Sequence, residues 1–311
     1  MSRFSATTLD LSRFPPPLAI RNLDYEDVLR SRISRLQTLF EEADIAFDVE
    51  KLEATPAAVL QETDAYRELL AYAAVNDAVK AGLIAFAVGT DLDHLGLTAA
   101  LGLPSGQRDS MLRRVISPAT ANVAAILESD AEYRRRLLLA PEAYATAGTA
   151  GGYLFHALWA DPRVLNADVW CPSPGNVVVA VQSRANDGTA PSDLIQAVRS
   201  HLTRSDIKPL TDVVTVRSVT NVAYSVSVDA YILAGPDQNA VEDAIRLSVA
   251  KTAASRRTPA RDMPRSAIIA AAQLDVVDKV ILASPMTDIA SGYGEVPVID
   301  SIEVRVHTYD G

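Results

Sequence analysis

The sequence is poor in the residues that build covalent or metal cross-links. Its 311 residues include one cysteine, Cys171, and four histidines that lie far apart in the chain. A single cysteine excludes an intramolecular disulfide framework and any zinc site with several cysteine ligands. Because Cys171 lies between Trp170 and Pro172, we expect it to be a buried small apolar side chain and not a nucleophile. His156, in an apolar helical segment, is expected to be a packing residue, and the sequence predicts no metal site.

Long apolar runs and a surplus of positive charge are also missing. No run approaches the roughly 18 consecutive apolar residues of a membrane-spanning helix, and the first residues, MSRFSATTLDLSRF, contain no continuous apolar core of a signal peptide. The formal net charge is −10, which disfavours nonspecific binding to nucleic acid or to anionic membranes. We therefore expect a protein of a reducing compartment that is not secreted through a signal peptide, with neither nucleic acid nor membrane among its partners.

The common catalytic motifs are missing as well. The chain contains no G-x-S-x-G elbow, no H-E-x-x-H and no P-loop. Asp91 and Asp93 resemble a carboxylate pair, but they follow a glycine that is expected to end a helix, which favours a cap and a short turn with Leu92 and Leu95 buried. The small-residue segment AGTAGG at 147–152 lacks the preceding strand and the glycine pattern of a phosphate-binding loop. The sequence predicts no catalytic residue and no cofactor.

What the chain does contain is a helical stretch rich in alanine and leucine, from 56 to 96. Thr55 suits the N-cap of a helix and Pro56 its first position. No further proline follows before Gly89, which suits the residue after a helix end. At 1.5 Å per residue, one helix from Pro56 to Gly89 is about 50 Å long.

The apolar positions of this stretch recur at alternating spacings of four and three, which is typical of a coiled-coil seam. One seam position is polar, Asn76, and a lone asparagine in a seam fixes register and oligomer state at some cost in stability. A core helix of a globular monomer has the same periodicity, but this length is more typical of a bundle shared with other chains. The residues expected to contact another subunit are Leu69, Tyr72, Asn76, Val79, Leu83 and Phe86.

The whole pattern predicts an α+β protein in which a helical bundle region precedes two small α+β domains. Residues 1–22, with three consecutive prolines, are predicted to form an extended arm. Residues 23–105 are predicted to be helical. Period-two apolar patterns further on predict a first α+β domain at 106–220 and a second one at 221–311, which ends in an edge strand.

A basic run, Arg134–Arg136, lies in a predicted helix that begins after Glu128-Ser129-Asp130. We expect the run to be a solvated helix face that pairs with acidic neighbours. A contact between subunits is the alternative.

Six segments together resemble the baseplate protein J family of contractile phage tails. They are ETDAYRELL, VNDAVKAG, GTDLDHLGL, ESDAEYRRRLL, TAGTAGGYLFHA and VLNADVWCPSPGNVVVAV. Their order and spacing match the family, and the similarity extends from about residue 22 to about residue 308. The chain departs from the family most in its first 20 residues, in the connection 102–122 and after Pro285.

The resemblance implies a structural subunit of a baseplate wedge in the virion tail, assembled in the host bacterial cytoplasm and without enzymatic activity. It implies that two copies join one partner wedge protein. Their N-terminal helices are expected to form a bundle that holds a small, lysozyme-like, sheath-initiating wedge protein. Their C-terminal domains are expected to form a ring around the tube, with sheath, tube and hub as indirect partners. Rotation of modules about 102–122 and 184–191 is the expected movement that triggers sheath contraction.

Other classes stay open on the residues alone. Bacterial contractile injection particles such as tailocins contain the same parts, so the chain fits an equivalent subunit there. An enzyme that uses Asp91 and Asp93 and a regulatory module that binds a small molecule are the two competing classes.

Overall fold

The structure is a computed structural model that describes residues 15, 17–45, 56–103, 105–120, 123–144, 148–185 and 187–309. The chain divides into two compact units, with the boundary in the sequence between Thr98 and Ala99. The α+β class is confirmed. Thr55, the predicted N-cap, and residues 1–14 of the predicted arm lie outside the described residues. Among the helices that are described, none combines the length and the apolar composition of a membrane span.

The first part of the described chain is helical. Asp24 caps the first helix, because its carboxylate accepts hydrogen bonds from the backbone N–H groups of Glu26 and Asp27. The second helix packs against the first one, so that the two form a hairpin. The helices are α1 (Tyr25–Glu42), α2 (Pro56–Ala81) and α3 (Gly89–Ala100).

The prediction of one long helix from Pro56 to Gly89 is wrong. α2 ends just before Gly82, and Gly89 begins α3 instead of ending α2. Gly89 has a φ of 55°, a left-handed conformation that glycine adopts without strain. Leu83 and Phe86 therefore lie in the turn between the two helices, where the Phe86 N–H donates to the Leu83 carbonyl.

The described part of the second unit contains three small sheets. Its helices are a 3₁₀ helix at Ser105–Met111, α4 (Asp130–Leu138), α5 (Ala140–Ala143), α6 (Ala150–Ala160), α7 (Ser192–Leu202), α8 (Gln238–Arg256) and α9 (Arg265–Ala272). Its strands are β1 (Val115–Ser117), β2 (Ile126–Leu127), β3 (Val164–Ser173), β4 (Asn176–Ser183), β5 (Val213–Ser218), β6 (Thr220–Leu233), β7 (Lys279–Ser284) and β8 (Glu295–Tyr309).

The strand order β3–β4–β5 defines the sheet that we call sheet I. β3 and β4 form an antiparallel hairpin, whereas β4 and β5 are parallel and are joined through α7, since parallel neighbours need a crossover. α6 packs on the same sheet and is buried from Gly151 to Leu158. Its nearly continuous apolar composition is typical of a helix enclosed on all sides.

The strand order β7–β6–β8 defines sheet II. β6 is central, and the alternation predicted for it is confirmed, because every second side chain from Tyr224 to Ile232 is buried. α8 covers this face with Val241, Ile245 and Val249, spaced four residues apart. β8 runs parallel to β6 along its whole length and is the edge strand that the sequence predicted.

Sheets I and II are joined directly, because β5 leads into β6 through Val219. Trp170 of sheet I stacks on Tyr293 with 5.5 Å between ring centroids, and the Arg217 guanidinium lies 5.1 Å from the Trp170 ring. The Gly294 N–H donates to the Asp168 carboxylate at 2.7 Å. A Cβ at Gly294 would lie 2.8 Å from the Ala180 Cβ, so only glycine fits this close approach.

Candidate subunit-contact surface

The six residues predicted to contact another subunit lie on one side of α2 and in the turn after it. Leu69, Tyr72 and Val79 are half-buried, and Asn76 is only 3 % exposed. The burial comes from the protein's own chain, because this side of α2 faces α1 and the segment that precedes α1. Whether any of the six also contacts another subunit stays a prediction.

Asn76 has a partner within the chain. The Arg21 N–H donates to Asn76 Oδ1 at 3.0 Å, and Asn76 Nδ2 donates to the Arg21 carbonyl at 2.9 Å. The Arg21 guanidinium lies 4.6 Å from the centre of the Tyr72 ring. A buried amide that exchanges two bonds with an extended backbone segment needs no asparagine from a second chain. Asn76 therefore anchors the entry to the helical hairpin.

A single arginine of α1 holds the two helices of the hairpin together. Arg32 donates to Gln61 at 3.0 Å, to Asp64 at 3.0 Å and to Glu68 at 2.8 Å. These three positions lie three and four residues apart on α2, so one planar guanidinium reaches all of them. The hydrogen bond from the Tyr72 hydroxyl, followed by that from Arg32, lowers the pKa of the Glu68 carboxyl below its usual value.

A different side of α2 carries exposed apolar side chains. Val59, Tyr66 and Leu70 are 50 %, 56 % and 51 % exposed, and their spacings of seven and four residues place them on one side of the helix. We call these three residues the α2 stripe. Leu60 and Val75 are exposed on neighbouring sides. A helix that is apolar nearly all round is normally enclosed by other elements, and a contiguous exposed apolar patch marks an interaction surface.

The sequence pattern of α2 includes the α2 stripe, but it does not show that this side of the helix is the exposed one. Val59, Tyr66 and Leu70 follow the same alternation of four and three as the predicted seam. A helix with apolar residues on several sides offers several such seams. Only the position of α1 shows which one the chain covers itself.

Asp91 and Asp93 do not form a paired-carboxylate site. They lie at the start of α3, so the expectation of a cap and turn after a helix is wrong, although Leu92 is fully buried and Leu95 half-buried as predicted. Residues two apart on a helix do not face each other. Asp91 in the first turn instead interacts favourably with the helix dipole.

The basic run of α4 is not a solvated face, because Arg136 is 1 % exposed. Arg136 donates to the Glu128 carboxylate at 2.7 Å and Arg114 donates to it at 2.9 Å. Burial raises the pKa of the Glu128 carboxyl, but the hydrogen bonds and charges of the two arginines outweigh burial and hold that pKa below its usual value. Burial also lowers the pKa of Arg114. We call Arg114, Glu128 and Arg136 the buried ion cluster.

The buried ion cluster fixes the segment that precedes α4. Arg136 donates to the carbonyls of Ser110 and Leu112, and Arg114 donates to the carbonyl of Leu158 in α6. Buried guanidinium groups need several acceptors, and backbone carbonyls supply those that Glu128 does not. Burial of Arg136 depends on partners far away in the sequence, which a local charge pattern does not reveal.

A cavity of about 470 Å³ lies beside α6 in the second unit. His156 is 6 % exposed, and its ring centroid lies 5.8 Å from that of His201. Burial lowers the pKa of both imidazoles to about 4, so both are neutral at neutral pH. The described residues contain no group of three or more His, Cys, Asp or Glu side chains that could hold a metal ion. The polar side chains that line the cavity are Gln107, Tyr144, Tyr153, His156, Ser205, Asp206 and Lys208.

Cys171 is exposed, so the prediction of a buried cysteine is wrong. The pairing of β3 with β4 is regular from Asn166 to Trp170 and then shifts before Ser173. Cys171 lies in this irregular end of the hairpin, where its thiol is 2.9 Å from the Ser173 carbonyl. A register shift of this kind changes the face of a side chain and is not visible in composition.

Comparison with known proteins identifies the family. A model of the Baseplate J-like N-terminal domain matches residues 53–102, and a model of the Baseplate J-like central domain matches residues 145–218. Baseplate protein J of Escherichia phage P2 is 34 % identical over 287 residues, which cover 90 % of this chain and 92 % of that protein. The chain belongs to the baseplate J family. The resemblance that the six sequence segments indicate is therefore confirmed, and the chain is a structural protein of the phage-tail baseplate class.

The two matches of this baseplate J protein fall on distinct parts of the structure. The N-terminal match covers α2 and α3, and with them the α2 stripe and Asn76. The central match covers α6, α7 and the whole of sheet I. The candidate contact surface on α2 thus lies within a region that characterises the family.

Proposed function

We propose that this baseplate J protein is a wedge subunit of a contractile-tail baseplate, assembled in the host cytoplasm and carried in the virion tail. Two copies join one partner wedge protein, and their helical regions form a bundle that holds the small, lysozyme-like, sheath-initiating wedge protein. The second α+β domain takes part in a ring around the tube, and a change in the shape of the ring helps to trigger sheath contraction. A bacterial contractile injection particle would use an equivalent subunit in the same way.

The exposed α2 stripe is the observation that supports this proposal best. Fully burying one large apolar side chain is worth about 1.5–3 kcal/mol. Because Val59, Tyr66 and Leu70 are already about half-buried, together they offer about 2–4 kcal/mol to a partner. Part of this gain offsets the entropy lost on association. The charged contacts of Arg32 and the anchoring of Asn76 hold α2 in place, so that the stripe is presented on a fixed helix.

The residues of the predicted seam receive a specific part in this proposal. Leu69, Tyr72, Asn76 and Val79 build the hairpin that presents the α2 stripe. Leu83 and Phe86 stay candidates for direct contact from the turn after α2. In this account Asn76 fixes the position of α2 within its own chain, whereas the α2 stripe contacts the other chains.

The edge of sheet II supports the proposed ring. β8 pairs with β6 on one side, and within the described residues no strand lies on its other side. An unpaired strand edge is a template for pairing with another chain. Repeated contacts of such edges are one way in which copies of a subunit assemble around an axis.

The connection 102–122 is proposed as the hinge, together with the loop 184–191. Arg114 and Arg136 fix residues 110–114 to α4 and α6, so the bend is expected outside this part of the connection. Superposition of the resting and contracted states should show rotation at the remaining residues of 102–122 or at 184–191. A bend at the joint of sheets I and II would contradict the hinge proposal.

Co-expression with the neighbouring tail proteins tests the wedge proposal. The variant Val59→Asp/Tyr66→Asp/Leu70→Asp places carboxylates on the α2 stripe, and Leu247→Asp is a matched control because Leu247 of α8 is 72 % exposed but belongs to no stripe. We expect the control to co-purify in a complex containing two copies of the chain, measured by light scattering after size exclusion, and the stripe variant to remain alone. A chain that stays monomeric beside all tail proteins, or a stripe variant that assembles normally, would contradict the proposal.

A further inference from the structure

The end of α8 and the loop after it carry a cluster of arginines. The segment 256–265, RRTPARDMPR, contains four arginines and one aspartate, in a chain whose formal net charge is −10. Arg261 is exposed and the other three are half-buried. We call Arg256, Arg257, Arg261 and Arg265 the arginine patch.

Two members of the arginine patch are held close together by the backbone. Arg256 Nη1 donates to the Asp262 carbonyl at 3.2 Å, and Arg261 Nη1 donates to the Ser255 carbonyl at 3.2 Å. The Arg256 guanidinium therefore contacts the residue that follows Arg261, and the Arg261 guanidinium contacts the residue that precedes Arg256. Burial and then the neighbouring charge of Arg256 lower the pKa of Arg261, in agreement with this proximity.

Within the part of the chain that the structure describes, no guanidinium of the arginine patch pairs with a carboxylate, although the Arg265 backbone N–H donates to the Asp288 carboxylate at 2.8 Å. Arg246, on the same helix, shows the contrast, because it pairs with Glu242 at 2.5 Å and with Asp243 at 3.3 Å. The one carboxylate inside the segment, Asp262, accepts from the Ser291 N–H instead.

Two of the arginines also have an unsatisfied donor. Arg257 Nε and Arg265 Nε are buried and have no hydrogen-bond acceptor among the described residues. Unsatisfied buried donors and adjacent like charges both cost stability. A docked anionic group offsets the like charges of Arg256 and Arg261, whereas the two buried Nε atoms are out of its reach.

The chemistry of the patch fits carboxylates better than a nucleic acid. A guanidinium matches a carboxylate through two parallel hydrogen bonds. Nucleic-acid binding typically uses about 6–10 phosphate contacts, and four arginines on a chain of strongly negative net charge do not supply them. Stacking side chains are also lacking, because the segment contains no aromatic residue.

We propose that the arginine patch docks an acidic surface of another protein, whose carboxylates pair with Arg256 and Arg261. This interaction uses none of the residues of the α2 stripe and does not depend on the wedge role. The purified chain is sufficient to test it, so that its failure would leave the proposed function untouched.

Fluorescence anisotropy of the full chain with a labelled poly-glutamate peptide tests the proposal. We expect binding at about 0.01 M NaCl that weakens at about 0.15 M, where charges are screened over a shorter distance. The variant Arg256→Gln/Arg261→Gln should weaken binding at least about fivefold, because it removes both charges that pair with the carboxylates of the peptide. The control Arg246→Gln/Arg305→Gln removes as many positive charges from sites that already have carboxylate partners, and it should bind as the unmodified chain does.

A second variant covers the case in which the glutamine variant does not fold. Arg256→Lys/Arg261→Lys keeps both charges but loses the planar fork, so it should bind more weakly than the unmodified chain and more tightly than the glutamine variant. No binding of the peptide, equal binding by all variants, or displacement of the peptide by a short DNA duplex that binds the patch more tightly would each overturn the proposal.

Discussion

The helical hairpin and sheet II differ in how completely the chain covers its own apolar residues. α1 contains no fully buried residue, and α2 contains only Ala58, Ala65 and Asn76. Sheet II instead has a continuous core in which β6, α8 and α9 all contribute fully buried side chains. Burial of apolar area is the main favourable term in folding. Sheet II is therefore stabilised by apolar contacts within the chain, whereas the hairpin presents apolar area that a second chain can cover.

Polar contacts follow the same division. The hairpin is joined by the half-buried Arg32 and its three acceptors on α2, which stay partly in contact with water. The second unit contains the buried ion cluster, in which Glu128 is 1 % exposed. Surface ion pairs contribute little, whereas removal of one member of a buried pair leaves an uncompensated charge. The contacts of Arg32 can therefore be rearranged on assembly, whereas those of the buried ion cluster cannot.

The largest effect is expected in the buried ion cluster. Glu128→Gln leaves the buried Arg114 and Arg136 without a counter-charge and should reduce the free energy of unfolding by about 3–5 kcal/mol. Urea unfolding followed by tryptophan fluorescence measures this loss, because both tryptophans, Trp159 and Trp170, lie in the second unit. Asp193→Asn breaks the exposed pair with Arg163 and is the control, with an expected loss below about 1 kcal/mol. Equal effects would refute the contrast between buried and exposed pairs.

The next effect compares the two apolar surfaces directly. Ile245 of α8 is fully buried, so Ile245→Ala should cost about 2–5 kcal/mol of unfolding free energy. Leu70 of the α2 stripe is half-exposed in the isolated chain, so Leu70→Ala should cost less than about 0.5 kcal/mol. Circular dichroism during urea unfolding measures both. A large loss for Leu70→Ala would show that the stripe is already covered within one chain.

Acid should distinguish the two units. Burial lowers the pKa of His156 and His201 from 6.5 to about 4, so below pH 6.5 the unfolded chain binds protons that the folded second unit does not. Their contribution to stability is complete above pH 6.5 and is lost as the pH falls toward 4. His156→Gln should reduce the change in unfolding free energy over this range by about 3 kcal/mol. An unchanged pH dependence in the tryptophan signal would contradict the assignment of neutral histidines.

The smallest effect concerns the anchor of the hairpin. Asn76→Leu removes the two hydrogen bonds that Asn76 exchanges with the Arg21 backbone. Because water can partly satisfy the Arg21 backbone groups, the free energy of unfolding should fall by about 1–2 kcal/mol, and the effect should be confined to the hairpin. Hydrogen exchange of residues 17–24 measures it, and Asp193→Asn again leaves this segment unchanged. Stabilisation by Asn76→Leu would instead mean that the asparagine serves another chain.

Local patterns in the sequence predicted the parts of the fold whose causes are local. The alternation along β6 and the edge position of β8 both follow from residue types at short spacing. The end of α2 was not predictable in this way. The residues after Gly82 are good helix formers, and one glycine costs only about 1 kcal/mol in a helix, so tertiary contacts decide where the helix stops.

The misses at the candidate site have the same origin. Periodicity predicted an apolar side of α2 but did not show which side α1 covers, so the exposed stripe was found only in the structure. The burial of Arg136 depends on Glu128 and Arg114, which are separated from it in the chain. The exposure of Cys171 depends on a shift in strand register. Each of these is set by pairing between distant segments.

Hydrogen exchange of α2, in the isolated chain and in the assembled complex with its tail partners, tests the central claim most directly. The account predicts rapid exchange of the amides around the α2 stripe in the isolated chain and strong protection in the complex, with sheet II equally protected in both. Protection of α2 in the isolated chain equal to that of sheet II, with no gain on assembly, would contradict it.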